Sequence, residues 1–228
     1  MTTPTALDDA ATLVIRGPVG EVLEAVVPRK FKTVVFDLGN VLIGWDPYGA
    51  VRGTLTPQQW ETFVVEADFG AFNQRADAGE KLGDLIEEMT GIDPAHGAIL
   101  SQYFDRFALA LTGPIPGSTE VVRELAKKGY QTLGLTNWAA ETFVHAAGSA
   151  PVVDELDGIV VSGQIGLSKP DAAIFEYLVD EYALDPREAI FVDDSLVNVD
   201  AARALGLHAI LFEDAAGLRA ELEALGVL

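Results

Sequence analysis

The 228-residue chain contains no cysteine. Disulfides, thiolate metal sites and a cysteine nucleophile are therefore excluded. Basic residues are scarce: 15 Lys and Arg stand against 35 Asp and Glu, a formal net charge of −20. A nucleic-acid binder needs a basic surface to displace condensed counterions, so that class is disfavoured. A polyanionic substrate is repelled too, unless a cation or a local base offsets the field. No apolar run approaches the ~20 residues of a membrane helix. The N-terminus carries Asp8 and Asp9 in place of a basic stretch followed by an apolar one. A secretory signal is therefore not expected, and the chain reads as cytoplasmic.

What is present is a core. Hydrophobic residues make up 49% of the chain, and the length suits one α/β domain with a sizeable insertion. Residues 1–31 read as an N-terminal extension, in which 11–28 form either a small hairpin or a strand and a short helix. The core begins with an apolar run, Val34-Val35-Phe36, that ends in Asp37-Leu38-Gly39-Asn40. A short β-branched and aromatic run of this kind is a buried parallel strand. In open α/β sheets, ligand chemistry gathers at the carboxyl ends of such strands. Asp37 is thus the first candidate nucleophile.

Residues 48–114 show helical patterning. Thr56-Pro57 is a helix start, with an N-cap followed by proline at the first helical position. Trp60, Phe63 and Val64 form one apolar stripe, and Leu82, Leu85, Ile86 and Met89 a second. Ile99, Tyr103, Phe107 and Leu111 form a third, broken by Gly113-Pro114. Strands alternate with helices from residue 115 onward: Gln131 to Thr136, Gly158 to Ser162, Ala189 to Val192 and His208 to Phe212 are strands. Asp171 and Ser195 stand where helix caps are expected. The expected architecture is α/β: a Rossmann-like parallel-sheet core, 32–47 and 115–228, with an all-helical insert after the first core strand.

Four signals fall at predicted strand ends or the loops after them: Asp37, Thr136-Asn137, Lys169, and Asp193-Asp194. One parallel sheet brings such ends to a single crevice. Three carboxylates and a lysine there point to a hard divalent cation, with Mg²⁺ the natural choice, and a phosphate. Thr136 and the Asn137 N–H would hold phosphate oxygens. Trp138 is the tryptophan best placed to face a substrate. The three histidines show no metal-binding spacing.

The order and spacing of these motifs resemble the haloacid dehalogenase-like hydrolase superfamily over most of residues 32–215. The helical insert resembles that superfamily's first type of cap domain. Asp-Leu-Gly-Asn-Val-Leu and Phe-Val-Asp-Asp-Ser-Leu-Val-Asn resemble its phosphatase-like members. The resemblance implies that Asp37 attacks phosphorus and forms an aspartyl-phosphate. It implies Mg²⁺ bound by Asp37, the Gly39 carbonyl, Asp194 and Asp193, with Lys169 pairing Asp37 and the phosphate. Asn198 would orient Asp193 or Lys169. The substrate would be a small phosphate ester.

One departure stands out. Typical phosphatase members carry a second Asp two residues after the nucleophile, to protonate the leaving group; here that residue is Gly39. Asp46 is the nearest downstream acid that could take over. Halide-cleaving members also lack the second Asp, which makes a metal-independent 2-haloacid dehalogenase the main alternative. Those members usually carry a bulky aromatic at the Gly39 position and lack the paired acids kept here at Asp193-Asp194. A third reading is a binding or regulatory protein that has lost activity. In the insert, Arg75 and Asp77 are expected to pair with each other, or Arg75 to reach substrate.

Overall fold

The computed structural model describes residues 31–228; the reading of segment 11–28 lies outside the described residues. Five parallel strands form the central sheet. They are β1 (Thr33–Phe36), β4 (Gln131–Thr136), β5 (Gly158–Val161), β6 (Ala189–Asp193) and β7 (His208–Leu211). Their spatial order is β5-β4-β1-β6-β7. Numbered within the sheet, this is the doubly wound order 3-2-1-4-5, whose direction reverses at the first strand. Val35 pairs Leu133 on one side and Phe191 on the other, so β1 is central and its end lies at the reversal.

Both faces of the sheet are covered, which is why its central strands β1 and β6 are almost wholly apolar. Val34, Phe36, Ile190 and Val192 face one core, together with Val121, Leu125, Leu218 and Leu222 of α5 (Ser118–Lys127) and α10 (Ala215–Ala224). Val35, Leu133, Leu135 and Phe191 face the other. There they meet Ile174, Phe175 and Leu178 of α8 (Ala172–Glu181) and Val199 and Ala202 of α9 (Leu196–Ala204). Between β5 and its neighbours lie two one-turn helices, α6 (Ala146–Ser149) and α7 (Ser162–Ile165).

The insert holds four helices: α1 (Pro57–Glu66), α2 (Phe69–Asp77), α3 (Leu82–Ile92) and α4 (Pro94–Asp105). The α1 start is a full capping box, with Thr56 and Gln59 bonding reciprocally. The third apolar stripe is not one helix. Phe107 lies in a 3₁₀ turn, Phe107–Ala110, and Leu111 opens a strand, β3 (Leu111–Pro114). Gly113-Pro114 therefore does not end a helix. It belongs to an antiparallel ribbon with β2 (Ile43–Trp45), Gly44 opposite Gly113. The ribbon ties the chain leaving the first core strand to the chain returning from the helices. Gly44 leaves room there for the Thr112 hydroxyl, which would have to turn away from a Cβ at that position.

Two expected caps differ in detail. Asp171 and Ser195 occupy N-cap positions, but neither side chain makes a capping bond. The Ser195 N–H is instead taken by Asp193 Oδ1 at 2.8 Å.

Candidate active site

Asp37 follows β1 and Asp193 ends β6, so adjacent parallel strands deliver both carboxylates to one edge. Lys169 reaches the same point from the loop before α8. Its ammonium donates to Asp37 Oδ1 at 2.9 Å, Asp193 Oδ2 at 2.7 Å and the Leu135 carbonyl at 2.9 Å. All three protons are thus satisfied, which a buried ammonium requires. Burial alone would lower the Lys169 pKa, but the two carboxylates outweigh it and hold it above the usual lysine value. Burial pushes the Asp37 carboxyl up to about 6, against the pull of Lys169 and with Asp193 and Asp194 adding repulsion.

Asn137 fixes the lysine's backbone. Its Nδ2 donates to the Lys169 carbonyl at 2.9 Å, and its Oδ1 accepts the Lys169 N–H at 2.8 Å. The Asn137 side chain is therefore a clamp on the lysine loop, and one proton of its Nδ2 is left over beside the cleft. Thr136 ends β4 and is buried, 1% exposed. Trp138 is pinned by its indole N–H to Thr142 Oγ1 at 3.1 Å and packs edge-on against Phe143.

Asp193 is fully buried. Its Oδ1 accepts from the Ser195 N–H and Asn198 Nδ2, and its Oδ2 from Lys169 and again Asn198. Asn198 orients Asp193, as the sequence suggests. With both oxygens engaged, Asp193 serves to position Lys169. Asp194 is exposed, by contrast. Partial burial and Asp193 raise its pKa, opposed by a hydrogen bond from the Asn40 side chain. Asn40 was not singled out in the sequence. Its positive φ of 55° marks the turn that carries it to Asp194.

One oxygen from each of Asp37, Asp193 and Asp194 lies within 4.8 Å of the others. Lys169 compensates only part of that charge. The donors are all hard oxygens, and crowded carboxylates repel unless a cation joins them. The set fits a small divalent ion.

Beside these groups opens a small cleft of about 80 Å³, lined by Gly39, Ile43, Trp45, Asn73, Asp77, Phe107, Leu111, Asn137 and Trp138. Aliphatic and aromatic residues dominate its wall, and among the described residues no Lys or Arg takes part. Asp46, the downstream acid that could have taken over from position 39, is engaged elsewhere. It accepts the Tyr48 N–H and pairs with Arg52 at 3.0 Å. Arg75 does not pair with Asp77. It forks onto Glu80 and Glu88, each at 2.7 Å. Asp77 faces the cleft instead, an acid whose place the sequence reading missed.

The haloacid dehalogenase-like hydrolase family model matches residues 31–206. A sesquiterpene phosphatase of Aspergillus oryzae is 29% identical over 205 residues, 86% of this chain and 96% of that protein. A D-ribitol-5-phosphate phosphatase of Bacteroides thetaiotaomicron is 27% identical, covering 84% of this chain and 96% of that one. Two other relatives are much longer, and the chain covers 34% and 19% of them. Among solved structures, the magnesium complex of a HAD-family enzyme from B. thetaiotaomicron superposes with a TM-score of 0.67 at 19% identity. It covers 83% of this chain and 98% of that one.

Proposed function

The chain belongs to the haloacid dehalogenase-like hydrolases, and we propose that it is a Mg²⁺-dependent phosphatase acting on a small phosphate ester. The observation that carries the reading is the convergence of Asp37, Asp193 and Asp194 within 4.8 Å, with a single lysine paired to the first two. A metal-independent dehalogenase has no use for that surplus of negative charge, which a divalent cation and a phosphate together exploit. The sesquiterpene and ribitol-5-phosphate phosphatases among the relatives point the same way.

Asp37, Asp194 and the Gly39 carbonyl would hold the ion. Bound there, Mg²⁺ would offset the negative charge that keeps a carboxylate from a phosphate. Asp37 attacks phosphorus, the bond to the leaving oxygen breaks, and an aspartyl-phosphate forms that water hydrolyses. Lys169, oriented by Asp193 and Asn137, steadies Asp37 and offsets part of the negative charge where the phosphoryl group sits. Thr136 and the Asn137 N–H complete the phosphate seat. Residues 48–114 act as a cap domain over this edge of the core. The ester's organic part lies against Ile43, Trp45, Phe107, Leu111 and Trp138, so an apolar leaving group is favoured. The sesquiterpene phosphatase among the relatives accords with this.

The test is phosphate release from p-nitrophenyl phosphate, n-octyl phosphate and ribitol 5-phosphate, with Mg²⁺ and with EDTA. Release should require Mg²⁺ and fall at least about 10³-fold in Asp37→Asn. The octyl ester should exceed the ribitol ester by roughly tenfold or more in kcat/KM, since each buried methylene contributes about 0.8 kcal/mol. Chloride release from 2-chloropropionate that survives EDTA would overturn the reading, as would inertness toward every phosphate ester.

A further inference from the structure

The phosphatase reading leaves a proton unassigned. A leaving alkoxide must be protonated, and Gly39 has no side chain to do it. A Cβ at Gly39 would meet nothing within 4 Å, so the position opens onto free space in the cleft. The same cleft contains one carboxylate that no core strand supplies, at the end of α2: Asp77.

Asp77 is held firmly. Its carboxylate accepts Asn73 Nδ2 at 3.0 Å and the Ala139 N–H. Its backbone carbonyl accepts Ser162 Oγ at 2.5 Å, and the same hydroxyl accepts the Trp138 N–H at 2.9 Å. Trp138 and Ala139 lie on the loop at the carboxyl end of β4, and Ser162 opens α7 directly after β5. The last turn of α2 is therefore bolted to the edge of the sheet that carries the site. Among the described residues Asp77 has no ion-pair partner to hold it as a carboxylate. The other described residues on the cleft wall are apolar, amide or glycine, so none of them can exchange a proton near neutrality.

We propose that Asp77, supplied by the helical insert, is the general acid and base of the reaction in place of the absent side chain at position 39. The inference rests on the phosphatase reading. In the first step Asp37 attacks phosphorus while the bond to the leaving oxygen breaks. The Asp77 carboxyl gives its proton to that oxygen, so a neutral alcohol departs. In the second step the Asp77 carboxylate takes a proton from water as the water oxygen attacks phosphorus. The bond to Asp37 breaks, phosphate leaves, and both groups return to their starting states. Burial pushes the Asp77 carboxyl up to about 7, with Asp37 adding to the rise and the Ala139 N–H and Lys169 opposing it. That value suits a group that must both give and take a proton.

The experiment compares phenyl phosphate, whose leaving group needs a proton, with 2,4-dinitrophenyl phosphate, whose leaving group does not. In Asp77→Asn, turnover of phenyl phosphate should fall about 10²–10⁴-fold. The first-turnover release of dinitrophenolate should stay within about fivefold of wild type, which also reports an intact fold. Phosphorylated Asp37 should then accumulate, visible in the intact mass, because the water step has lost its base. Gly39→Asp in the Asp77→Asn background should recover part of the phenyl phosphate rate. Equal losses on both esters, or no loss on either, would overturn the role of Asp77 while leaving the phosphatase reading standing. A wild-type protein inert toward both esters would sink that reading itself.

Discussion

Three groups make Lys169 what it is: Asp37, Asp193 and the Leu135 carbonyl, each within 2.9 Å of its ammonium. The side chain is 1% exposed, so no water can replace any of them. Removing one partner of such a buried pair strands the other charge, which typically costs about 3–5 kcal/mol. Lys169→Met should therefore lower unfolding stability by about that amount and abolish activity. Adding Asp193→Asn should return part of the stability and none of the activity, because it removes one of the two stranded charges. Urea unfolding of the single and double variants measures this coupling. If Lys169→Met unfolds no more easily than wild type, the lysine is not the buried counter-ion described above.

At the scale of elements, the parallel sheet was legible because apolar runs of strand length each ended in a polar signal. Asp37, Thr136-Asn137, Lys169 and Asp193-Asp194 all lie near the carboxyl edge of the sheet, as that pattern demands. The β2–β3 ribbon was not legible. Its strands are three and four residues long, contain Gly44, Gly113 and Pro114, and gain their pairing only from long-range closure. Helix α2 was missed for a related reason. It begins at Asp68 with φ 47° and no side-chain cap, so no start signal marks it. The pairing of Arg75 with Asp77 fails on helix geometry, since residues two apart point away from one another. Asp77 bonds Asn73 four residues back instead, and Arg75 turns outward to Glu80 and Glu88. This gives Arg75 a structural task at the α2–α3 corner. Arg75→Ala should keep kcat/KM within about twofold of wild type and lower Tm only slightly, as exposed pairs do. The Tm loss should shrink further in about 0.5 M NaCl, where exposed charges are screened. A large loss of activity would show that the guanidinium reaches substrate after all.

Across the whole molecule, the charge and the cleft combine into a kinetic expectation. The chain carries −20, and among the described residues the cleft wall has no basic one. Lys169 is buried and already neutralised by two carboxylates. A dianionic phosphate approaching the site therefore meets a repulsive field that no local base focuses in its favour. Screening weakens that field: the Debye length falls from about 30 Å at 0.01 M salt to about 8 Å at 0.15 M. With Mg²⁺ held saturating, kcat/KM for p-nitrophenyl phosphate should rise about two- to fivefold over that range of NaCl. The kcat, measured at saturating substrate, should change much less, because the field acts on encounter rather than on the bound complex. An uncharged-tail ester and a more highly charged bisphosphate extend the same test, the bisphosphate showing the steeper rise. A kcat/KM that falls with salt would instead place an attractive basic patch on the approach to the cleft.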